Sequence, residues 1–320
     1  MNRNGQTLII SLWILAALTI LAVGIGHRVS IALRLSRYQR DRLKALELAK
    51  AGLNRAIIEL ERDTNTYDAL DEPWANNEEV FKKIVLDDEQ NDFASVSYEG
   101  IDEHNNPQTI YGAMDEESKI NINSAPSALL TELLNKAGVI NPPEITNNIC
   151  AWRGDSGISI PDYTDLGYSN KGNKFINKEE LMLIKALDRE IYDKLKYLVT
   201  VWGYGKVNIN TTSKEILEAL IEYCKKQIAG TENDPQDLVD RIIRARPANS
   251  FSDLQGKLSA QISLSSGQIN ILNELQKVGD FKSSCFYIQS SGKINNNKRA
   301  YTIDSVFDRK NKKIMYWHER

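Results

Sequence analysis

The chain has few of the side chains that do covalent or metal chemistry. Its three cysteines (Cys150, Cys224, Cys285) and three histidines (His27, His104, His318) are scattered through 320 residues. They form no CxxC pair and no Cys/His cluster, and no nucleophile–base constellation stands out; an enzyme is not expected. The thiols have two readings: one disulfide, with three possible pairings, or three separate buried thiols. Positive charge is not in excess either. The formal net charge is −3, so the electrostatic attraction behind polyanion binding is weak and no nucleic acid is expected as a partner. Charge of either sign is missing between Arg3 and His27, and proline is missing before Pro73.

Those last two absences define the most informative segment. Thr7 to Gly26 is an apolar run of about 20 residues, the length that crosses a bilayer as a helix. Its polar residues are Thr7, Ser11 and Thr19, whose hydroxyls can bond back to helix carbonyls. No turn residue ends it. Val29, Leu33, Leu35, Tyr38, Leu43, Leu46, Ala49, Leu53, Ala56, Ile57 and Leu60 continue mostly at three- and four-residue steps, with Arg and Lys on the other side. This predicts one helix running to near Asp63, half in lipid and half in water, with an apolar stripe for a partner surface. Gly52 interrupts it at a cost of about 1 kcal/mol relative to Ala.

Two plain readings compete for the apolar run. A secretory signal could be cut near Ala22-Val23-Gly24 or Gly24-Ile25-Gly26, but the run exceeds the usual core of about 7–15 residues. A simple anchor with its N-terminus inside runs against the positive-inside rule: Arg3 alone precedes the span, and six basic residues follow by Lys44.

Beyond the helix, residues 67–92 are acidic and Asn-rich, with a turn at Pro73-Trp74. Alternation predicts a strand at 93–99 with a hairpin mate at 109–114, joined by a loop at 102–107. Three further strands are expected at 285–291, 299–307 and 313–318, with turns at 292–297 and 308–312. These strands make one antiparallel sheet on the helix stripe, interrupted by a long insert. The expected organisation is a leader at 1–5, a membrane half of the helix at 6–26 and a soluble half at 27–63. The sheet region is 64–118 with 281–320, and the helical insert is 119–280.

The insert repeats itself, as 119–202 and 203–280. Lys119-Ile-Asn-Ile-Asn-Ser-Ala and Lys206-Val-Asn-Ile-Asn-Thr-Thr each open a unit. A helical run follows each (128–137, 214–224), then a second helix (144–153, 235–246), then a Phe-started segment at Phe175 or Phe251. These units resemble helix-hairpin-helix and SAM-like modules. The Gly-hydrophobic-Gly hairpin that grips DNA phosphates is missing at 137–141 and 227–231. A membrane-anchored helix-hairpin-helix DNA receptor is therefore the alternative function.

Two resemblances go further. Gly5 followed by Gln6-Thr-Leu-Ile-Ile-Ser-Leu-Trp13 resembles a type IV prepilin signal. That implies cleavage after Gly5 by a prepilin peptidase and N-methylation of Gln6. The glutamate usual at the fifth mature position is replaced by Ile10, which implies a subunit at the fibre end, unable to contact a neighbour above it. Together with Leu48-Ala-Lys-Ala-Gly-Leu53, Asp115-Glu-Glu-Ser-Lys-Ile-Asn-Ile-Asn123, Trp152-Arg-Gly-Asp155 and the second Asn-Ile-Asn unit, the chain resembles the minor pseudopilin K family of type II secretion systems. The resemblance implies an α+β pilin-like fold: a long N-terminal helix on an antiparallel sheet, with a large all-helical domain of two repeats inserted. It implies a single-pass inner-membrane protein of a Gram-negative bacterium with its soluble part in the periplasm. That protein caps a pseudopilus, supports protein export, and works with minor pseudopilins of the I and J types and the inner-membrane assembly platform. It also implies calcium in a loop of the insert, for which Asp155, Asp162, Asp165, Asn170 and Asn173 are the candidate oxygen ligands.

Overall fold

The computed structural model describes residues 3–86, 91–101, 107–228, 235–294 and 299–320. Helix α1 (Arg3–Arg62) runs 60 residues without a break. Its buried face begins at Ala45 and continues through Leu48, Ala49, Leu53, Ala56 and Leu60. Within the chain only the later part of the expected stripe is covered: Val29, Leu33, Leu35, Tyr38 and Leu43 are all more than half exposed. Periodicity gives the face of a helix but not where its partner surface stops.

Behind α1 the chain buries Trp74 edge-on against Phe286, with ring centres 5.0 Å apart. The short α2 (Glu78–Phe81) follows, capped by Asn77 Oδ1, which accepts from Val80 N. The strands β1 (Phe93–Val96), β2 (Tyr98–Ile101), β3 (Pro107–Ile110) and β4 (Met114–Asp115) come next. The expected 93–99 strand is split at Ser97. Its first half, β1, and β4 lie end to end along one edge of a long strand from the C-terminal region, while β2 and β3 form a separate hairpin between them. Alternation alone reads straight through such a split, because each half keeps its own period of two. Of the predicted loop at 102–107, Pro107 instead opens β3, and residues 102–106 lie outside the described residues.

Residues 116–280 leave the sheet. The first unit contains β5 (Ile120–Asn121), α3 (Ser127–Lys136), α4 (Pro142–Arg153), a 3₁₀ stretch at Lys178–Leu183, α5 (Arg189–Leu195) and β6 (Val199–Thr200). The second contains β7 (Val207–Asn208), α6 (Lys214–Lys226), α7 (Pro235–Arg244), α8 (Phe251–Gln261), α9 (Ser266–Val278) and β8 (Gly279–Asp280). In each unit the opening strand pairs in parallel with the closing one, β5 with β6 and β7 with β8. The units share one apolar core, from Ile120 and Leu130 through Leu217, Leu254 and Phe281. Ser213, Ser250 and Ser265 cap α6, α8 and α9 as their sequence positions predict.

The chain returns as β9 (Cys285–Ile294), β10 (Arg299–Asp308) and β11 (Lys313–Glu319), completing a five-stranded antiparallel sheet in the order β1-β9-β10-β11, with β4 beside β9. The turn residues 295–298 lie outside the described residues. Phe286, Ile288, Ile303 and Phe307 face α1 in a second core, with Leu53 and Leu60. Helix and sheet meet almost backbone to backbone. A Cβ on Gly292 would overlap the carbonyl oxygen of Ala45 and lie 2.7 Å from Ala49 N. Gly52, a weak point by helix propensity, sits where a Cβ would overlap Ser290 Oγ and lie 3.0 Å from Ala94 Cβ. Ser290 Oγ uses the space to donate to Ala49 O at 2.7 Å.

Candidate functional site

Among the described residues, nothing else in the chain buries the apolar half of α1. Among the described residues it is the one helix long and apolar enough to cross a membrane, and that window has no buried residue. Ser11 Oγ donates to Leu8 O at 2.9 Å and Thr19 Oγ1 to Leu15 O at 2.8 Å, so these hydroxyls are satisfied within the helix, as lipid requires. Gly5 and Gln6 fall in its first turns. Ile10 is 58% exposed and takes part in no core.

At the other end of α1, a buried polar junction joins helix, sheet and insert. Arg309, from the β10–β11 turn, donates to Asp63 Oδ2 (2.8 Å), Asp68 Oδ2 (2.6 Å) and Ser283 O (2.5 Å), and stacks over Phe286. Asp63, Asp68 and Glu72 form a carboxylate cluster. Protein donors fill it: Arg309 on the first two, Ala69 N and Trp74 Nε1 on Glu72 Oε2, each at 2.9 Å. Asp68 is fully buried, and its Oδ1 has no donor. Burial pushes its carboxyl up to about 7, against the pull of Arg309.

The acidic run 115–117 explains itself here, each carboxylate holding a different part of the molecule. Asp115 Oδ2 accepts from Thr211 Oγ1 (2.6 Å), Ser283 Oγ (2.7 Å) and Asn208 Nδ2 (3.0 Å), tying the sheet to the second unit. Glu116 takes Lys119 Nζ at 2.7 Å and the Thr200 hydroxyl, tying the first unit. Glu117 accepts from Tyr204 N (2.7 Å) and Ser284 N (2.5 Å), where the chain passes between the units and where it leaves the insert.

The two Asn-Ile-Asn motifs are clamps. Asn121 Oδ1 accepts from Asn123 N, as Asn208 Oδ1 does from Asn210 N. The second asparagine then grips the backbone of a distant residue from both sides. Asn123 holds Phe175 N (2.7 Å) and O (2.9 Å), and Asn210 holds Ala248 N (2.9 Å) and O (2.8 Å). Phe175 therefore corresponds to Ala248, not to Phe251. The shared feature is a position two residues before a helix cap, Asn177 or Ser250. Phe251, the more conspicuous residue in the sequence, lies three positions beyond the equivalent one. Asn208 and Asn210 also donate to Asp68 O, at 3.1 and 3.2 Å. The second clamp thus closes its own unit and fastens the insert to the end of α1.

The candidate calcium residues form no carboxylate cluster among the described residues. Asp155 is held bidentately by Arg153, at 2.8 and 2.5 Å, which also holds its carboxyl below the usual carboxylate range. Asp162 Oδ1 accepts from Thr164 N at 2.9 Å, and Asp165 is exposed. Asn173 Oδ1 accepts from Lys174 N at 2.8 Å. Asn170 Nδ2 donates to Ala151 O at 2.8 Å, while its Oδ1 is buried without a donor. That orphaned oxygen suits a hard cation; the expected three carboxylates form no cluster among the described residues, where the carboxylate trio is Asp63, Asp68 and Glu72. The three cysteines are free and buried. Burial pushes the thiols of Cys150 and Cys224 up to about 11 and about 12. In the α3–α4 hairpin, where a helix-hairpin-helix module carries a second glycine, Ile140 stands 88% exposed.

A long, half-bare helix on an antiparallel sheet, with a large helical body set into that sheet, defines a pilin-like α+β protein. No family model matches the chain, and no curated protein matches it. Among solved structures it is similar to a chain of the GspK-GspI-GspJ complex of the enterotoxigenic Escherichia coli Type 2 Secretion System. The TM-score is 0.62 at 18% identity, covering 89% of this chain and 99% of that one. The fold is GspK-like.

Proposed function

We propose that the chain is a minor pseudopilin of a type II secretion system that caps the pseudopilus tip, supports its assembly and serves protein export across the outer membrane. The carrying observation is the placement of bulk. The helix is bare at its apolar end, and the insert is fastened by Asn208, Asn210 and Asp115 at its opposite end. In a fibre whose subunits stack along their helices, such a body stands where the next subunit would sit. Ile10 agrees with that position: it offers no carboxylate to the N-terminal amine of a neighbour.

In this reading a prepilin peptidase cuts after Gly5 and Gln6 is methylated. The apolar helix then holds the chain in the inner membrane, with its soluble part in the periplasm, beside I- and J-type minor pseudopilins and the assembly platform. For calcium the 155–177 loop offers Asn170 Oδ1, a buried oxygen without a donor.

Mass spectrometry of the membrane-expressed chain, with and without the peptidase, tests the reading. A peptidase-dependent start at Gln6 is expected; a start near His27, or an intact Met1, overturns it. In cells assembling a pseudopilus, Ile10→Glu should leave folding intact and let the subunit enter the fibre shaft. Unchanged assembly and secretion would remove the role given to Ile10.

A further inference from the structure

On the face of the sheet away from α1, the strands and the first helical unit enclose a cleft of about 450 Å³. That volume lies within the range of small-molecule sites. Tyr287, Gln289 and Asp304 form its floor, alternating with the core residues that face α1. Its walls carry aromatic side chains, notably Tyr98, Tyr197, Trp202 and Tyr316, with Trp202 and Tyr316 centred 6.0 Å apart.

Most charges in the cleft are already matched. Asp304 accepts from Tyr287 Oη (2.7 Å), Gln289 Nε2 (2.8 Å) and Arg320 Nε (2.8 Å). Glu116 is taken by Lys119 and Thr200. Lys178 is different. It is half-buried, and its Nζ reaches one neutral acceptor, Lys196 O, at a long 3.3 Å. Among the described residues it has no carboxylate within ion-pair distance. Burial and the neighbouring Lys119 ammonium hold its pKa below the usual lysine value, against the pull of Glu116 and Glu179. An ammonium so placed favours an incoming carboxylate. At the rim, the exposed carboxylates Glu99 and Glu179 can accept from hydroxyl donors, Glu179 Oε1 already doing so from Tyr192 Oη at 3.3 Å.

We propose that this cleft binds a small carboxylate-bearing sugar, its carboxylate on Lys178, its ring against Trp202 and Tyr197, and its hydroxyls on Glu99 and Glu179. The aromatic walls supply apolar faces for the ring. An apolar carboxylate would bring no hydroxyl to the two glutamates, and a neutral sugar would bring no charge to Lys178.

The test is calorimetric titration of the full chain in detergent with D-glucuronate, D-glucose and benzoate. Saturable one-site binding of glucuronate is expected, with glucose and benzoate each about tenfold weaker or more, the weight of one charge-assisted hydrogen bond. Lys178→Met should weaken glucuronate about tenfold and leave glucose unchanged, Lys178→Arg should restore most of the affinity, and Trp202→Ala should weaken both sugars. Far-ultraviolet circular dichroism checks that each variant is folded. Absence of saturable glucuronate binding, equal binding by folded Lys178→Met, or benzoate binding as tightly as glucuronate would each overturn the proposal.

Discussion

Gly292→Ala tests how the helix is seated on the sheet. The new methyl group would overlap Ala45 O and lie 2.7 Å from Ala49 N and 2.9 Å from Ala45 C, against ordinary carbon contacts of about 3.5–4.0 Å. All three atoms are backbone in mid-helix, so no rotamer change relieves them. The helix must lift by about an ångström, loosening Ala45, Leu48, Ala49 and Leu53 together. Overpacking of this kind costs about 1–3 kcal/mol, and the Ser290–Ala49 bond adds about 1 kcal/mol if it breaks. Alanine recovers about 0.5–1 kcal/mol of glycine's entropic penalty. The net expectation is destabilisation by about 2 kcal/mol, confined to the helix–sheet core because the insert has its own. Hydrogen exchange read by mass spectrometry should show β9 and residues 45–60 of α1 exchanging about thirtyfold faster, with α3 and α6 unchanged. If β9 exchanges within twofold of the parent, or the insert loosens equally, the close-approach reasoning is wrong. Gly52→Ala gives a graded companion. Its methyl meets a side-chain oxygen, and the helix gains about 1 kcal/mol in propensity, so adding Ser290→Ala should stabilise the Gly52→Ala protein.

Two further outcomes follow from the junction. Asn210→Ala strips both partners from the Ala248 peptide and one from Asp68 O, and should cost about 2–4 kcal/mol in denaturant unfolding; a change below 0.5 kcal/mol, roughly the size of a neutral surface substitution, would refute the clamp. Asp68 holds its proton to about pH 7 when folded and to roughly pH 4 when unfolded. The folded state therefore binds more protons between those values, and stability falls as pH rises through that window. Asp68→Asn should flatten the pH 4–7 dependence of the unfolding midpoint, and an unchanged slope would show that another group carries it.

Much of the architecture was legible because it rests on local patterns. The unbroken α1 follows from missing proline and continuous three-to-four spacing, and the serine caps follow from residue type at helix starts. The duplicated Asn-Ile-Asn was visible as a repeat. Its job was not, since the residues it grips lie 52 and 38 positions away and are recognised by backbone, which carries no sequence signal. The run Asp115-Glu-Glu was conspicuous for the same reason it was unreadable: each carboxylate finds its donors only after the insert has closed back on the sheet.

The sequence by itself determined that the chain carries a membrane-length apolar helix continuous with a soluble one, a β-rich frame and a duplicated helical insert, since hydropathy and periodicity are written into neighbouring residues. Tertiary structure alone decided where the helix becomes buried, which strands pair, and why glycine stands at 52 and 292. It also decided that the candidate calcium carboxylates form no cluster among the described residues while Asp63, Asp68 and Glu72 gather, the first two on Arg309. Those outcomes depend on contacts between residues tens to hundreds of positions apart, whose geometry exists only once both partners have been placed.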